Sequence, residues 1–345
     1  MRKLVTIQKI EDIQPIDGAD AIEKAKIKEW WVVTKKGEFK IGDYCIYFEI
    51  DSFLPIKLEY EFLLRGSSPK KMLVDGQEKE GIRLKTIRLR GQISQGLALP
   101  IAIIANNLPK EVGDDVTEIL GVIKYEPPIP ANLKGVVKGN FPSFIPKTDE
   151  ERIQNCADLL EHQKGSVVYI TSKLDGTSAT YFKYEGEFGA CSRNLELKES
   201  SGNTIWEMAD KYNLKTCIPD GFAIQGELMG EGINKNILKI KGHKLFVFNV
   251  FNIKEFKYLD LDEMILFCRK NKLDIVPIIE SGVILNFTFE QLMEMANKNS
   301  PLNSNVLQEG IVVRSVTEKR ALINGVEGRF SFKVISNDYL LKNEV

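Results

Sequence analysis

The sequence predicts an α+β protein in two parts, a small N-terminal β-barrel followed by a larger domain of antiparallel sheets flanked by helices. Three observations lead there. Short β-branched and aromatic runs recur between turn signals through roughly the first hundred residues, as in Val32-Val33 and Tyr44-Cys45-Ile46-Tyr47-Phe48. Longer apolar runs, several opened or closed by a charged residue, recur in the second half, as in Leu245-Phe246-Val247-Phe248-Asn249-Val250. Between the two lies a proline-rich stretch with Pro127-Pro128, Pro130, Pro142 and Pro146. The expected boundaries are 1–120 for the barrel, 121–147 for a linker and 148–345 for the larger domain.

Composition narrows the function classes. At 345 residues the chain is long enough for two domains, and 47 Lys and Arg against 48 Asp and Glu leave a net charge of −1. Any nucleic-acid surface must therefore be local. No run of eighteen apolar residues occurs, so no membrane-spanning helix is expected, and Met1-Arg2-Lys3-Leu4-Val5-Thr6 reads as a strand and not as a signal peptide. The five cysteines are scattered and never form Cys-x-x-Cys pairs, as expected of free thiols in a reducing, intracellular compartment. Neither His162 nor His243 sits in a metal-ligand pattern.

Evenly spaced short strands with turns at Lys36-Gly37 and Ile41-Gly42-Asp43 fit an OB-like barrel. Its charge is uneven. Arg65, Lys70, Lys71, Lys79, Arg83, Lys85, Arg88 and Arg90 face only Asp75, Glu78 and Glu80. Alternation through Arg83-Leu84-Lys85-Thr86-Ile87-Arg88-Leu89-Arg90 places several cations on one strand face, where Arg83, Lys85, Arg88 and Arg90 are candidates for backbone phosphates. The competing reading is a solvated face. Beyond the linker, Lys147 to Asn155 leads into a short helix through Leu160 and carries Arg152, by itself an ordinary surface residue. Asp260-Leu261-Asp262-Glu263 reads as a capping box opening a helix to Lys270, Thr288 opens another to about Lys298, and Trp206 to Tyr212 is a third.

One stretch organises the second half: Thr171-Ser172-Lys173-Leu174-Asp175-Gly176-Thr177 between the strand signals Val167–Ile170 and Ala179–Tyr184. A lysine there is held in a tight connection. To act as a nucleophile it must lose its proton, which neighbouring cations, burial or a metal ion can favour. Lys-x-Asp-Gly alone is a weak signal, and its company strengthens it. Ser192-Arg193-Asn194, then Gly226-Glu227-Leu228, then Phe248 in its apolar run, follow in order. Glu309-Gly310-Ile311-Val312-Val313-Arg314 and Phe330-Ser331-Phe332-Lys333-Val334-Ile335 complete the set.

This order resembles the motifs of the covalent nucleotidyltransferases, which comprise ATP-dependent ligases and mRNA capping enzymes. A barrel that precedes the lysine, no room for another after Lys333, and the strings Glu49-Ile50-Asp51-Ser52-Phe53-Leu54-Pro55 and Pro146-Lys147-Thr148-Asp149-Glu150 are similar to the RNA ligase 5 family. Its members are RNA ligase 2-like enzymes with an N-terminal OB domain. The resemblance implies an ATP-dependent RNA ligase with Mg2+ or Mn2+ (magnesium or manganese), acting as a monomer on RNA or an RNA-containing duplex through a lysyl–AMP intermediate. It implies catalytic roles for Lys173, Lys333 and Arg152. Nucleotide contacts would come from Arg193, Asn194, Glu227 and Phe248 together with these, and metal contacts from Asp175, Glu227 and Glu309. Phe248 reads equally as a core aromatic. Two departures stand out. The usual Lys-x-Lys around Lys333 is replaced by Ser331 and Ile335, and Asn249 follows Phe248 where an acid is common, which puts the expected metal shell in question. The alternatives are a nucleic-acid-binding protein with a degenerate nucleotidyltransferase domain and a GTP-dependent guanylyltransferase.

Overall fold

The computed structural model describes residues 3–65, 68–74, 77–104, 111–126, 136–323 and 326–343. Met1, Arg2, Asp75 and the linker prolines Pro127, Pro128 and Pro130 lie outside that set. The chain divides into two compact units, Met1–Pro130 with Leu340–Val345, and Ala131–Tyr339. Described residues within 121–147 hold strand positions: Ile123–Lys124 pairs with Ser52–Pro55 in the first unit, and Val137–Asn140 pairs with Leu195–Leu197 in the second. Strands this short fit between prolines without requiring the missing amide donors.

In the first unit the strand Tyr44–Phe48 lies between Val5–Lys9 and Leu97–Pro100, antiparallel to both. Its alternating side chains serve two cores. Ile46 and Phe48 join Val5 and Ile7, whereas Cys45 and Tyr47 join Ile27, Trp30 and Val32 from a neighbouring three-stranded meander. Burial on both faces explains why this strand reads as an unbroken apolar run.

The basic stretch differs from expectation. One continuous strand from Arg83 to Arg90 was the reading; the structure ends one strand at Arg83 and begins another at Thr86. Thr86–Leu89 and Gln92–Gln95 form a hairpin whose two-residue turn puts Arg90 and Gly91 at φ 48° and 85°, the doubly left-handed turn that matches strand twist. Lys85, Arg88 and Arg90 are exposed. Arg83 is committed elsewhere: its Nε and Nη2 donate to Asp51 Oδ1 at 3.1 and 2.6 Å, and its guanidinium lies over the Tyr125 ring.

The second unit holds two main sheets. A five-stranded sheet runs Glu151–Arg152, Ser331–Ile335, Gly310–Ser315, Val167–Lys173, Ile278–Ile284. An eight-stranded sheet contains Thr177–Tyr184, Phe222–Gly230 and His243–Asn252 as neighbours. One face of the smaller sheet sends Val168, Ile170, Ile311, Val313, Phe332 and Val334 into a core. Each fully buried aromatic or branched side chain there contributes roughly 1.5–3 kcal/mol. The opposite face is left for polar groups, and that is why a lysine and an arginine sit inside otherwise apolar strands.

Helices flank the sheets. Leu261–Lys270 and Phe289–Ala296 both begin with reciprocal capping boxes, Asp260 with Glu263 and Thr288 with Gln291. The third helix starts at Thr204, before Trp206, because the Asn203 side chain accepts from the Ile205 and Trp206 amides. No helix among the described residues is long and apolar enough to cross a membrane.

Candidate active site

Lys173 ends a strand of the five-stranded sheet, and Thr177 opens one of the eight-stranded sheet. Leu174-Asp175-Gly176 therefore crosses from one sheet to the other. The crossing is tight. A Cβ on Gly176 would lie 2.3 Å from the Leu228 carbonyl oxygen and 2.4 Å from Met229 Sδ, so only glycine passes. Its amide donates to Glu227 Oε1 at 2.9 Å, joining the turn to the strand that carries Glu227.

Sheet register collects the rest. Lys173 pairs with Gly310, which places Glu309 at the mouth of the adjacent strand, and Lys173 Nζ lies 2.6 Å from Glu309 Oε2. Thr171, Val312, Lys333 and Arg152 form one row across four strands, two residues along from the Lys173–Gly310–Ile335 row. Residues two apart on a strand share a face, so Lys173, Lys333 and Arg152 stand on the same side, opposite the core. Arg314 stands there too, its guanidinium 5.8 Å from the Phe248 ring centroid. Phe248 is the residue skipped where the ladder shifts from Gln225–Asn249 to Gly226–Val247. A bulge of this kind re-aims a side chain. Phe248 remains partly exposed while packing against a cluster that includes Leu174, Met229 and Phe246.

Burial alone would push the Lys173 amine down, but the carboxylates of Glu309, Glu227 and Asp175 outweigh it and hold the amine above the ordinary lysine range. The ligand-free chain thus favours the ammonium, whereas nucleophilic attack needs the free amine. Burial lifts the Glu227 carboxyl to about 7; Lys173 opposes this and Glu309 adds repulsion. A carboxyl raised in this way loses stability for the fold as pH climbs from its unfolded value of 4.5 through 7. Glu227→Gln keeps an acceptor for Gly176. It is expected to raise the melting temperature at pH 8, by about 1–2 kcal/mol of stability after allowance for solvent, and to change little at pH 5. Thermal unfolding at the two pH values checks this, and an equal gain at both would contradict it.

The remaining expected residues have defined places. Asp175 has both carboxylate oxygens engaged, by Asn234 Nδ2 at 2.9 Å and by the Tyr339 hydroxyl. Arg193 pairs with Asp149, and Asn194 Oδ1 accepts from Lys147 Nζ at 3.2 Å, so both fasten the Lys147–Asp149 segment. Thr148 Oγ1 in that segment is 2.9 Å from Ser178 Oγ, directly across from Glu227 in the ladder. Among the described residues no three His, Cys, Asp or Glu side chains converge into a ready metal cage.

Both sequence departures have local explanations. Ser331 donates its hydroxyl to Glu150, whose carboxylate also holds Arg314, and Ile335 is buried against Gly310. The Asn249 amide oxygen accepts from Arg329 Nη1 at 2.8 Å and its nitrogen donates to Gln225 at 3.0 Å, so it serves as a structural crosslink. Sequence reasoning missed Asn234, Tyr339 and the Ser172–Gln308 bond of 2.9 Å beside the Lys173–Glu309 pair. Their partners are distant in sequence, and no local pattern marks them.

Comparison with known proteins agrees with this geometry. A family model described as RNA ligase matches residues 166–335, and one described as an OB-fold domain matches residues 4–101. The structure is similar to that of Naegleria gruberi RNA ligase with PPi, at 40% identity and a TM-score of 0.84, covering 100% of this chain and 99% of that one. A lysine-to-alanine variant of the same protein with ATP and Mn, and a lysine-to-methionine variant with AMP and Mn, each match at 40% identity and a TM-score of 0.83, covering 99% of both chains. No curated protein matches the chain.

Proposed function

The chain belongs to the RNA ligase family, and from that premise we propose that it seals nicks in RNA-containing duplexes, joining a 3′-hydroxyl to a 5′-phosphate with RNA on the 3′-hydroxyl side. ATP-dependent ligation proceeds in three nucleotidyl transfers: AMP to Lys173, AMP to the RNA 5′-phosphate, and attack of the 3′-hydroxyl with release of AMP. The observation that carries this reading is the Lys173 amine at the crossing between sheets, 2.6 Å from Glu309 and on the face that bears Arg152 and Lys333.

In the first transfer the Lys173 nitrogen forms a bond to the α-phosphorus as the bond to pyrophosphate breaks. Glu309 Oε2, already bonded to the amine, is placed to receive its proton. Lys333 stabilises charge on the α-phosphate, and Arg152 presents a planar fork to the departing pyrophosphate. Glu227 faces the ribose, Phe248 offers a surface for adenine, and Arg193 and Asn194 border the ribose and the incoming strand. Magnesium or manganese fits the site: carboxylate oxygens are its preferred donors, and the burial that lifts Glu227 to about 7, with the added repulsion of Glu309, is offset by a cation. With no three-acid cage among the described residues, Glu227 and Glu309 would hold such an ion together with water and phosphate, and Asp175 would serve the turn. When bound, the ion supplies the positive charge that lowers the lysine pKa and offsets charge on the α-phosphate. The manganese and adenine nucleotides of the Naegleria gruberi structures support both assignments. RNA on the 3′-hydroxyl side is distinguished from DNA by a contact to its 2′-hydroxyl.

Incubation with α-labelled ATP or GTP, metal and no RNA tests the reading. Covalent label from ATP alone is expected. Label from GTP alone would indicate guanylyl transfer, and none from either would indicate a binding protein. The exposed hairpin of the first unit is the proposed duplex contact. Replacing Lys85, Arg88 and Arg90 together with alanine is expected to weaken nicked-duplex binding about tenfold or more and to reduce the salt slope by roughly 2–3. A parallel loss of self-labelling would mean that the hairpin supports folding instead.

A further inference from the structure

Phe222–Gly230 and His243–Asn252 are neighbouring antiparallel strands, and Gly230 pairs with His243. Such neighbours need about two to five connecting residues, yet Glu231 to Gly242 supplies twelve (242 − 231 + 1). The extra length is built, with defined bonds throughout. Asn236 and Ile240 bond each other reciprocally, Nδ2 to O and N to Oδ1, both at 3.0 Å. Asn303 donates to the Leu238 carbonyl at 3.2 Å, and Leu238 and Ile240 pack on the cluster containing Leu174. Asn234, Asn236 and Lys239 adopt left-handed φ values of 45°, 40° and 56°. The loop is also fastened to the nucleophile turn, because Asn234 Nδ2 donates to Asp175 Oδ1 and to the Gly176 carbonyl at 2.6 Å.

This framework presents charge. Lys235, Lys239, Lys241 and Lys244 are exposed, against Glu231 alone in the same segment. Some exposed lysines elsewhere meet acids, as Lys71 meets Glu78 and Lys215 meets Glu199. Among the described residues Lys239, Lys241 and Lys244 enter no salt bridge. A loop that presents exposed cations and is fastened through Asn234 to the turn after Lys173 suits a polyanion whose end must reach that lysine.

We propose that the 231–242 connection, with Lys244 at the start of the following strand, is a phosphate track that holds the RNA backbone next to the ends being joined, through Lys239, Lys241 and Lys244. The proposal rests on the RNA-ligase reading for its ligand and adds a binding surface to it.

The test measures the affinity of the full-length protein for a nicked RNA duplex as a function of salt, which does not require turnover. The triple variant Lys239→Ala, Lys241→Ala, Lys244→Ala is expected to bind at least tenfold more weakly near 0.1 M salt, with the slope of log affinity against log salt reduced by roughly 2–3. The triple variant with arginine at the same positions is expected to restore both. Unchanged affinity and slope would overturn the proposal and leave these lysines to some other anionic partner. Failure of the arginine variant to restore binding would overturn it too, since the loss would then come from loop structure and not from charge. Self-labelling of the unaltered protein with ATP runs alongside. If that labelling is absent while the alanine variant still loses RNA affinity, the ligase reading has failed and the track has not.

Discussion

Lys173→Ala protein is expected to carry no covalent label after incubation with α-labelled ATP and metal, a loss on the order of 10⁴-fold or more, because no other nitrogen replaces the nucleophile. The substitution also removes the cation that Glu309, Glu227 and Asp175 surround, so lost label alone does not separate chemistry from folding. Lys173→Arg separates them. A guanidinium keeps a positive charge among the three carboxylates and remains protonated at every accessible pH, so it cannot attack phosphorus. The arginine variant is expected to unfold at nearly the temperature of the unaltered protein and to remain unlabelled. Label on either variant, mapped by peptide mass to another residue, would assign the nucleophile elsewhere.

The same site marks how far the sequence could be read. Lys173, Glu227 and Glu309 were legible because each is a charged residue beside an apolar run, an arrangement that is costly unless something is built around it. Glu227, however, lies inside the strand Phe222–Gly230 and not at its end as the run suggested. The two sheets followed from those same runs, and two helix starts followed from the capping boxes at Asp260 and Thr288. What stayed hidden was set by pairing across long separations. Nothing near Arg83 announces that Asp51 will occupy its guanidinium, or that the strand will break at Leu84 and Lys85. Nothing near Asp175 announces Asn234 and Tyr339. The charge around Lys173 was hidden for the same reason, since the folded turn brings three acids around the amine. Composition was silent on this as well, since a net charge of −1 says nothing about where acids gather.

Arg314→Met is expected to destabilise the protein by about 3–5 kcal/mol, the usual result of leaving one member of a buried ion pair without its partner. Arg314 is 3% exposed, and its Nε and Nη2 both donate to Glu150 Oε1, at 3.2 and 2.9 Å. Burial would raise the Glu150 carboxyl, but Arg314, then Arg329 and the Ser331 hydroxyl, bring it below the ordinary glutamate value of 4.5. A lowered carboxyl contributes stability above its unfolded pKa, and that stability is lost as pH falls through the folded one. The deficit of Arg314→Met should therefore be largest above pH 5 and shrink as pH falls through the lowered folded pKa of Glu150, where the unaltered protein loses the charge of the pair. Arg329 remains as a second cation, which favours the lower end of the range. Removing both charges with Glu150→Leu and Arg314→Met should recover most of the loss, because no uncompensated ion is left inside. Denaturant unfolding of the single and double variants at pH 4 and pH 7 reads all of this out, and a deficit below about 1 kcal/mol at pH 7 would show that water reaches the pair. The consequence reaches the site by position. Arg314 shares its strand with Gly310 and its face with Lys173 and Lys333, so an arginine standing among candidate phosphate ligands holds up the sheet that presents them.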